Sequence, residues 1–227
     1  MTVSPNHLES HHELRTPITS IRGALGLLDA GMAGPIAEEP LKLIKIAHKN
    51  SQRLVALVND ILDMEKLMAG KMSLNMECIN LISLVELAIE ANSAYAQAFN
   101  TRFVLCDCPA EAMVRADSDR LMQVLSNLFS NAVKFSPPER AVEISIAIKD
   151  NKAKVSVSDY GPGIPVEFRA RIFSAFAQAD SSDTRKQGGT GLGLKISKTL
   201  IEKMGGNIGF ESELGLGTCF WFSLPLV

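Results

Sequence analysis

The feature that most constrains this chain is a pair of apolar seams near its start, separated by a breaker segment. Leu14, Ile18, Ile21, Leu25 and Leu28 recur at steps of 4, 3, 4 and 3, the narrow stripe of a helix that packs in a coiled coil or bundle. Gly31 to Pro40 then interrupts the pattern with two glycines and two prolines. A second seam follows through Ile44, Ala47, Ser51, Leu54, Val58 and Ile61. Two long helices joined by a short break predict an antiparallel hairpin. A lone hairpin gives each seam one neighbour and cannot enclose a core, so the expected assembly is a two-fold dimer forming a four-helix bundle.

The 227 residues leave room for one further domain after the hairpin. Apolar residues make up 46 % and charged residues 21 %, which argues against wholesale disorder. With 23 basic against 25 acidic residues, the chain has no electrostatic footprint for nucleic acid. No apolar run approaches the roughly 18 residues of a membrane span, and no signal peptide opens the chain. Cys78, Cys106, Cys108 and Cys219 include no CxxC pair and no zinc spacing, as expected for reduced thiols in a cytoplasmic protein.

After Gly70 the texture changes. Leu81 to Phe99 reads as helix, and Arg102 to Cys106 and Met113 to Ala116 read as short strands. Asp117 or Ser118 is placed to cap a helix running towards Lys134. Val142, Ile144, Ile146 and Ile148 alternate, as do Ala153, Val155 and Val157, with Asp150-Asn151 as the turn between them. A helix after Gly193 and strands at about Asn207 to Glu211 and Thr218 to Leu224 complete a mixed α/β sandwich. The predicted domains are residues 1–72 and 73–227, with a flexible junction around Gly70 to Asn80.

Two glycine loops stand out in the second half. Asp159-Tyr160-Gly161-Pro162-Gly163-Ile164-Pro165 directly follows an alternating strand, and Gly188-Gly189-Thr190-Gly191-Leu192-Gly193-Leu194 directly precedes a helical stretch. Glycines ahead of a helix let backbone N–H groups approach an anion, which the helix dipole favours. One such loop is an ordinary turn; two in one domain point to a nucleotide. Neither fits the phosphate-loop or the dinucleotide fingerprint. On the helix between them, Asn127, Asn131 and Lys134 stand at i, i+4 and i+7 on one face. Amide oxygens suit Mg²⁺ and a neighbouring lysine suits phosphate, whereas asparagine in mid-helix is otherwise unfavourable.

Taken together these segments resemble the sensor histidine kinases of two-component systems. Asn127 to Phe135 looks like the family's N box, Asp159 to Pro165 the first glycine box, Arg171 to Phe176 the F box, and Gly189 to Leu194 the second glycine box. The resemblance implies that the second half is the α/β ATP-binding domain shared with Hsp90-type chaperones, type II topoisomerases and MutL proteins. It implies that Asp159 accepts the adenine amino group, that Asn131 coordinates Mg²⁺ with Asn127 assisting, and that Lys134 approaches the phosphates. Gly161 and Gly163 would allow close approach of ATP, and Gly189, Gly191 and Gly193 would wrap its phosphates. Ala177 to Gly188 would form a lid in which Arg185 and Lys186 could meet the γ-phosphate. Phe135, Ile164, Phe176, Thr190, Leu192 and Leu194 complete the expected binding set.

Ser10-His11-His12-Glu13-Leu14-Arg15-Thr16-Pro17 resembles the H box of the same family. Two adjacent histidines compete for the nucleophile's role. Extending the apolar seam back from Leu14 lands on His11 and then His7, which leaves His12 about 100° off the seam and accessible. His12 is the better candidate; His7, His11 and His48 are expected to be packing or surface residues. A neutral imidazole is available at neutral pH, and Glu13 can act as its general base. The family pattern gives Thr16, one turn from His12, a water-positioning role in a reverse, phosphatase reaction. Pro17 is expected to bend the helix.

The resemblance implies ATP-dependent phosphorylation of His12 and transfer to an aspartate of a response-regulator receiver domain. It also implies an upstream sensor domain missing from this chain, as in a catalytic fragment of a longer protein. Two alternatives stay open on the residues alone: an ATP-gated conformational clamp, and a dimeric scaffold without phosphotransfer.

Overall fold

The computed structural model describes residues 6–177 and 190–227, with side chains from Thr16 onward. The chain divides into two compact units, Met1–Lys71 and Met72–Val227.

The first unit is a helical hairpin of α1 (Asn6–Asp29) and α2 (Glu38–Met68). Helix α1 runs through Pro17 without interruption. The break is shorter than the sequence suggests. Pro40 lies in the first turn of α2, where a helix has unpaired N–H groups in any case and a missing one costs little. At the turn end, His48 Nδ1 lies 3.1 Å from Asp29 Oδ2 and Nε2 lies 3.1 Å from Gln52 Nε2. His48 therefore ties the end of α1 to α2. The second seam also resolves into two faces. Ile44, Val55, Val58 and Leu62 are half-buried and Ser51 is buried, whereas Leu43, Ile46, Leu54 and Ile61 stay exposed. At 100° per residue those four fall within about 80° of one another, on a single stripe.

The second unit begins with β1 (Glu77–Asn80), which sequence patterning does not reveal, and α3 (Leu81–Ala98). Strands β2 (Arg102–Leu105) and β3 (Met113–Ala116) follow, then α4 (Ser118–Phe135) and the hairpin β4 (Ala141–Lys149) and β5 (Lys152–Asp159). A single-turn α5 (Val166–Arg169), α6 (Gly193–Lys203), β6 (Asn207–Glu213) and β7 (Gly217–Pro225) complete it. The main sheet has the order β2-β4-β5-β7-β6, with β2 parallel to β4 and the rest antiparallel. Strands β1 and β3 form a separate antiparallel pair.

Alternation builds the core. Val142, Ile144 and Ile146 on β4 and Ala153, Val155 and Val157 on β5 are buried, together with Phe220, Phe222 and Leu224 on β7. Helix α4 lays Leu121, Val124, Leu125, Leu128 and Phe129 into the same core, and α6 adds Ile196, Leu200 and Ile201. Asp150 and Asn151 both take positive φ, at 49° and 56°, which suits the tight turn between twisted strands. The expected flexible junction is correspondingly shorter. The Asn75 N–H donates to Asp117 Oδ2 at 2.8 Å and Glu77–Asn80 pairs with β3, so the chain from Asn75 onward is fastened into the second unit.

Candidate nucleotide site

The site is built on the polar face of α4. Asp117 caps this helix by accepting the Arg120 N–H at 3.1 Å on Oδ1, which fixes where its turns begin. One face then carries Asn127, Asn131 and Lys134 over a buried apolar face. Asn127 donates from Nδ2 to Ser197 Oγ at 2.9 Å, and Ser197 is buried on α6. At Gly193, the first residue of α6, a Cβ would collide with that same amide. Asn131 is half-buried, and its side chain makes no hydrogen bond among the described residues. Lys134 Nζ lies 5.2 Å from the ring centroid of Phe135.

The first glycine loop closes on the end of α4. Asp159, the last residue of β5, is 7 % exposed and accepts the Gly161 N–H on Oδ1 at 2.8 Å. Burial pushes its carboxyl up to about 6 from the ordinary 3.8, against the opposing pull of the Gly161 and Thr218 backbone N–H groups. A Cβ on Gly161 would sit 2.7 Å from the Phe135 carbonyl oxygen. Gly163 takes φ +75° and packs on the Glu213 backbone, a conformation and a contact that exclude other residues. The loop is pinned beyond this point. The Ile164 N–H donates to Ser212 Oγ at 2.8 Å, and Arg169 donates from Nε to Ile164 O at 3.1 Å and from Nη2 to Ser212 O at 2.6 Å.

In the second loop, the Leu192 N–H donates to Thr190 Oγ1 at 3.2 Å, and Leu192 is buried where α6 starts. Leu194 is half-buried in the first turn. Gly191 packs directly on the backbone of Phe176, whose own φ is +60° and whose side chain is 65 % exposed. The preceding Phe173 is anchored between Phe210 and Phe220, at centroid distances of 6.1 and 6.5 Å.

The structure thus brings together segments far apart in sequence: Phe135 with Gly161, Asn127 with Gly193, and Phe176 with Gly191. It does not speak to every predicted residue. Arg185, Lys186, Gly189 and residues 178–188 of the expected lid lie outside the described residues, and so do the side chains of His11, His12 and Glu13, whose backbone belongs to α1. Thr16 is exposed on α1, and its carbonyl accepts the Ser20 hydroxyl at 3.1 Å. Sequence reasoning missed Ser197, Ser212, Thr218 and Arg169, the groups that hold the predicted residues in place. Hydroxyls at strand ends carry no periodic signal; the one available clue is that Ser212 and Thr218 bracket the glycine-containing turn of the last two strands.

Two family models match the chain. Residues 11–70 match the His Kinase A phospho-acceptor domain, and residues 116–227 match the histidine kinase-, DNA gyrase B- and HSP90-like ATPase. The catalytic domain of histidine kinase ThkA is 30 % identical, with 97 % of that chain and 67 % of this one covered at a TM-score of 0.59. The chain belongs to the sensor histidine kinases. This kinase core is also 38 % identical to the circadian input-output histidine kinase CikA of Synechococcus elongatus, over 94 % of this chain and 29 % of CikA. Full-length ShkA, solved in complex with AMPPNP, matches 99 % of the core and 46 % of its own chain at a TM-score of 0.80 and 32 % identity. The core therefore spans under a third of CikA and about half of ShkA. Its second unit is the family's ATP-binding domain, and among the described residues no helix is long and apolar enough to cross a membrane.

Proposed function

We propose that this core phosphorylates His12 from ATP and passes the phosphoryl group to an aspartate of a response-regulator receiver domain, with a phosphatase capacity through Thr16. The observation that carries this reading is a set of three close contacts between segments apart in sequence, Phe135 on Gly161, Asn127 on Gly193 and Phe176 on Gly191, each too close for a side chain at the glycine. Such close approach leaves backbone N–H groups and one helix N-terminus as the natural seat of a polyphosphate.

Within that site Asp159 is the acceptor for the adenine amino group, since it is a buried carboxylate already held by two backbone N–H groups. Asn131, whose side-chain amide has no hydrogen-bond partner among the described residues, would hold Mg²⁺. Asn127 assists by holding α6 in place through Ser197. Among the described residues no group of three His, Cys, Asp or Glu could hold a metal ion, so the donor set is amide oxygen together with substrate phosphate, which suits Mg²⁺. When bound, Mg²⁺ supplies neutralisation of phosphate charge. Lys134, Arg185 and Lys186 supply further positive charge, and Gly189, Thr190, Gly191, Gly193 and the flanking Leu192 and Leu194 shape the phosphate loop. Phe135, Gly163, Ile164 and Phe176 wall the rest.

At the phosphoacceptor, one ring nitrogen of His12 attacks the γ-phosphorus. The N–P bond forms as the bond to the β-phosphate oxygen breaks, ADP leaves, and Glu13 takes the proton from the other ring nitrogen. Positioning and electrostatics supply most of the acceleration. The hairpin, residues 1–72, dimerises into a four-helix bundle; the exposed stripe of Leu43, Ile46, Leu54 and Ile61 supports this, because an uncovered apolar stripe calls for a partner. Residues 73–227 form the catalytic domain, and both work on the cytoplasmic side, downstream of a sensor domain. The test is incubation with γ-labelled ATP and Mg²⁺. Label that is lost in acid and kept in alkali marks a phosphohistidine, whereas binding without label supports a clamp instead.

A further inference from the structure

Ser212 stands outside the predicted binding set, yet its hydroxyl has three partners. It accepts the Ile164 N–H at 2.8 Å, reaches the Gly217 carbonyl oxygen at 3.1 Å and lies 2.9 Å from Thr218 Oγ1. A hydroxyl has one proton and two lone pairs. The amide of Ile164 can only donate and the carbonyl of Gly217 can only accept. All three contacts are met at once in one way: Ser212 gives its proton to Gly217 and takes protons from Ile164 and from Thr218. The Thr218 hydroxyl has then spent its only proton, and anything else that meets it finds an acceptor.

Thr218 stands directly opposite Asp159 in the β5–β7 ladder, so the two side chains share a face, and both are buried. An ionised Asp159 is likewise acceptor-only. The pair forms a wall that takes hydrogen bonds and gives none. We infer that Ser212 is a positioning residue that fixes this polarity, so that the site selects a base with an exocyclic amino donor and rejects the 6-oxo base that presents a carbonyl there. The inference rests on the nucleotide reading above and assigns its base selectivity.

Without Ser212 the Thr218 hydroxyl can turn and donate to a carbonyl oxygen. Competitive displacement of a fluorescent nucleotide analogue by ADP and by inosine diphosphate, on the whole chain, reads the selectivity. The parent protein binds ADP more tightly than the inosine nucleotide, and Ser212→Ala lowers that ratio about fivefold to tenfold, the size of one misplaced hydrogen bond. Ser212→Thr, which keeps the hydroxyl, restores the ratio. Thr218→Val lowers it as well while leaving the Ile164 bond intact, which covers the case of a poorly folding Ser212→Ala. An unchanged ratio with both nucleotides equally weakened makes Ser212 a mere loop anchor and overturns the inference. So does a parent protein that binds both nucleotides equally, although the nucleotide site itself then stands. A parent that binds neither overturns the underlying reading and this one with it.

Discussion

Asn127 on α4 and Ser197 on α6 are joined by a 2.9 Å hydrogen bond across 70 residues of sequence. The bond commits one end of the Asn127 amide to the protein, and the contact with Gly193 crowds the other. One turn later the Asn131 side chain has no such commitment among the described residues. Two asparagines that look equivalent in sequence therefore occupy different physical situations, and they should respond differently to removal.

Asn127→Ala breaks a packed, half-buried bond and leaves the buried Ser197 hydroxyl without its donor. It should cost about 1–2 kcal/mol of stability in the second unit. Asn131→Ala should leave stability within about 0.5 kcal/mol and abolish Mg²⁺-dependent labelling. Denaturant unfolding measured beside the labelling assay separates the two. Equal destabilisation by both variants contradicts the assignment.

Gly193→Ala forces a methyl group into the Asn127 amide. Overpacking of this kind costs about 1–3 kcal/mol, here concentrated at the start of α6. Nucleotide affinity should fall at least tenfold while the hairpin keeps its helical signal, as read by analogue displacement and circular dichroism. Unchanged affinity contradicts the close approach.

Asp159 gives a pH prediction with a definite sign. Its carboxyl titrates at about 6 in the folded chain against an ordinary 3.8, so between those values the folded state holds the extra proton. Stability should decline as pH rises from about 4 to about 6 and level off above. Keeping the charged form buried at pH 7 costs on the order of 2–3 kcal/mol. Asp159→Asn should therefore raise the melting temperature at pH 7 and weaken ATP binding. Binding by the parent should also weaken below pH 6, where the acceptor is protonated. A less stable Asp159→Asn contradicts this account.

On α2, Leu54→Asp and Ile61→Asp place charge on the exposed stripe, not on the face that packs within the hairpin. Sedimentation should show a shift from dimer to monomer with helix content preserved. A dimer that withstands both changes would place the partner surface elsewhere.

Most of the fold is legible in the sequence because its strongest signals are local. Alternation in β4 and β5 with Asp150-Asn151 between them defines a hairpin, and Asp117 marks the start of α4. Glu77–Asn80 escapes notice because four residues with no alternation give no strand signal; its place is fixed by the distant pairs Glu77–Ala116 and Asn80–Met113 on β3. The second seam reads as one line because 3–4 spacing does not say which neighbour each residue meets, whereas Leu54 and Ile61 are exposed. In the site, the glycine loops and the Asn127–Asn131 pair are legible from spacing. Ser197, Ser212 and Thr218 are not, since their roles come from hydrogen bonds between elements that no period encodes.

The most direct test of the whole account is phosphosite mapping after incubation with γ-labelled ATP and Mg²⁺ in the parent protein, His11→Ala, His12→Ala and Asn131→Ala. The label should sit on His12 in the parent and in His11→Ala and be lost in the other two. Label retained in His12→Ala, or a parent protein that binds ATP and never takes up phosphate, contradicts it.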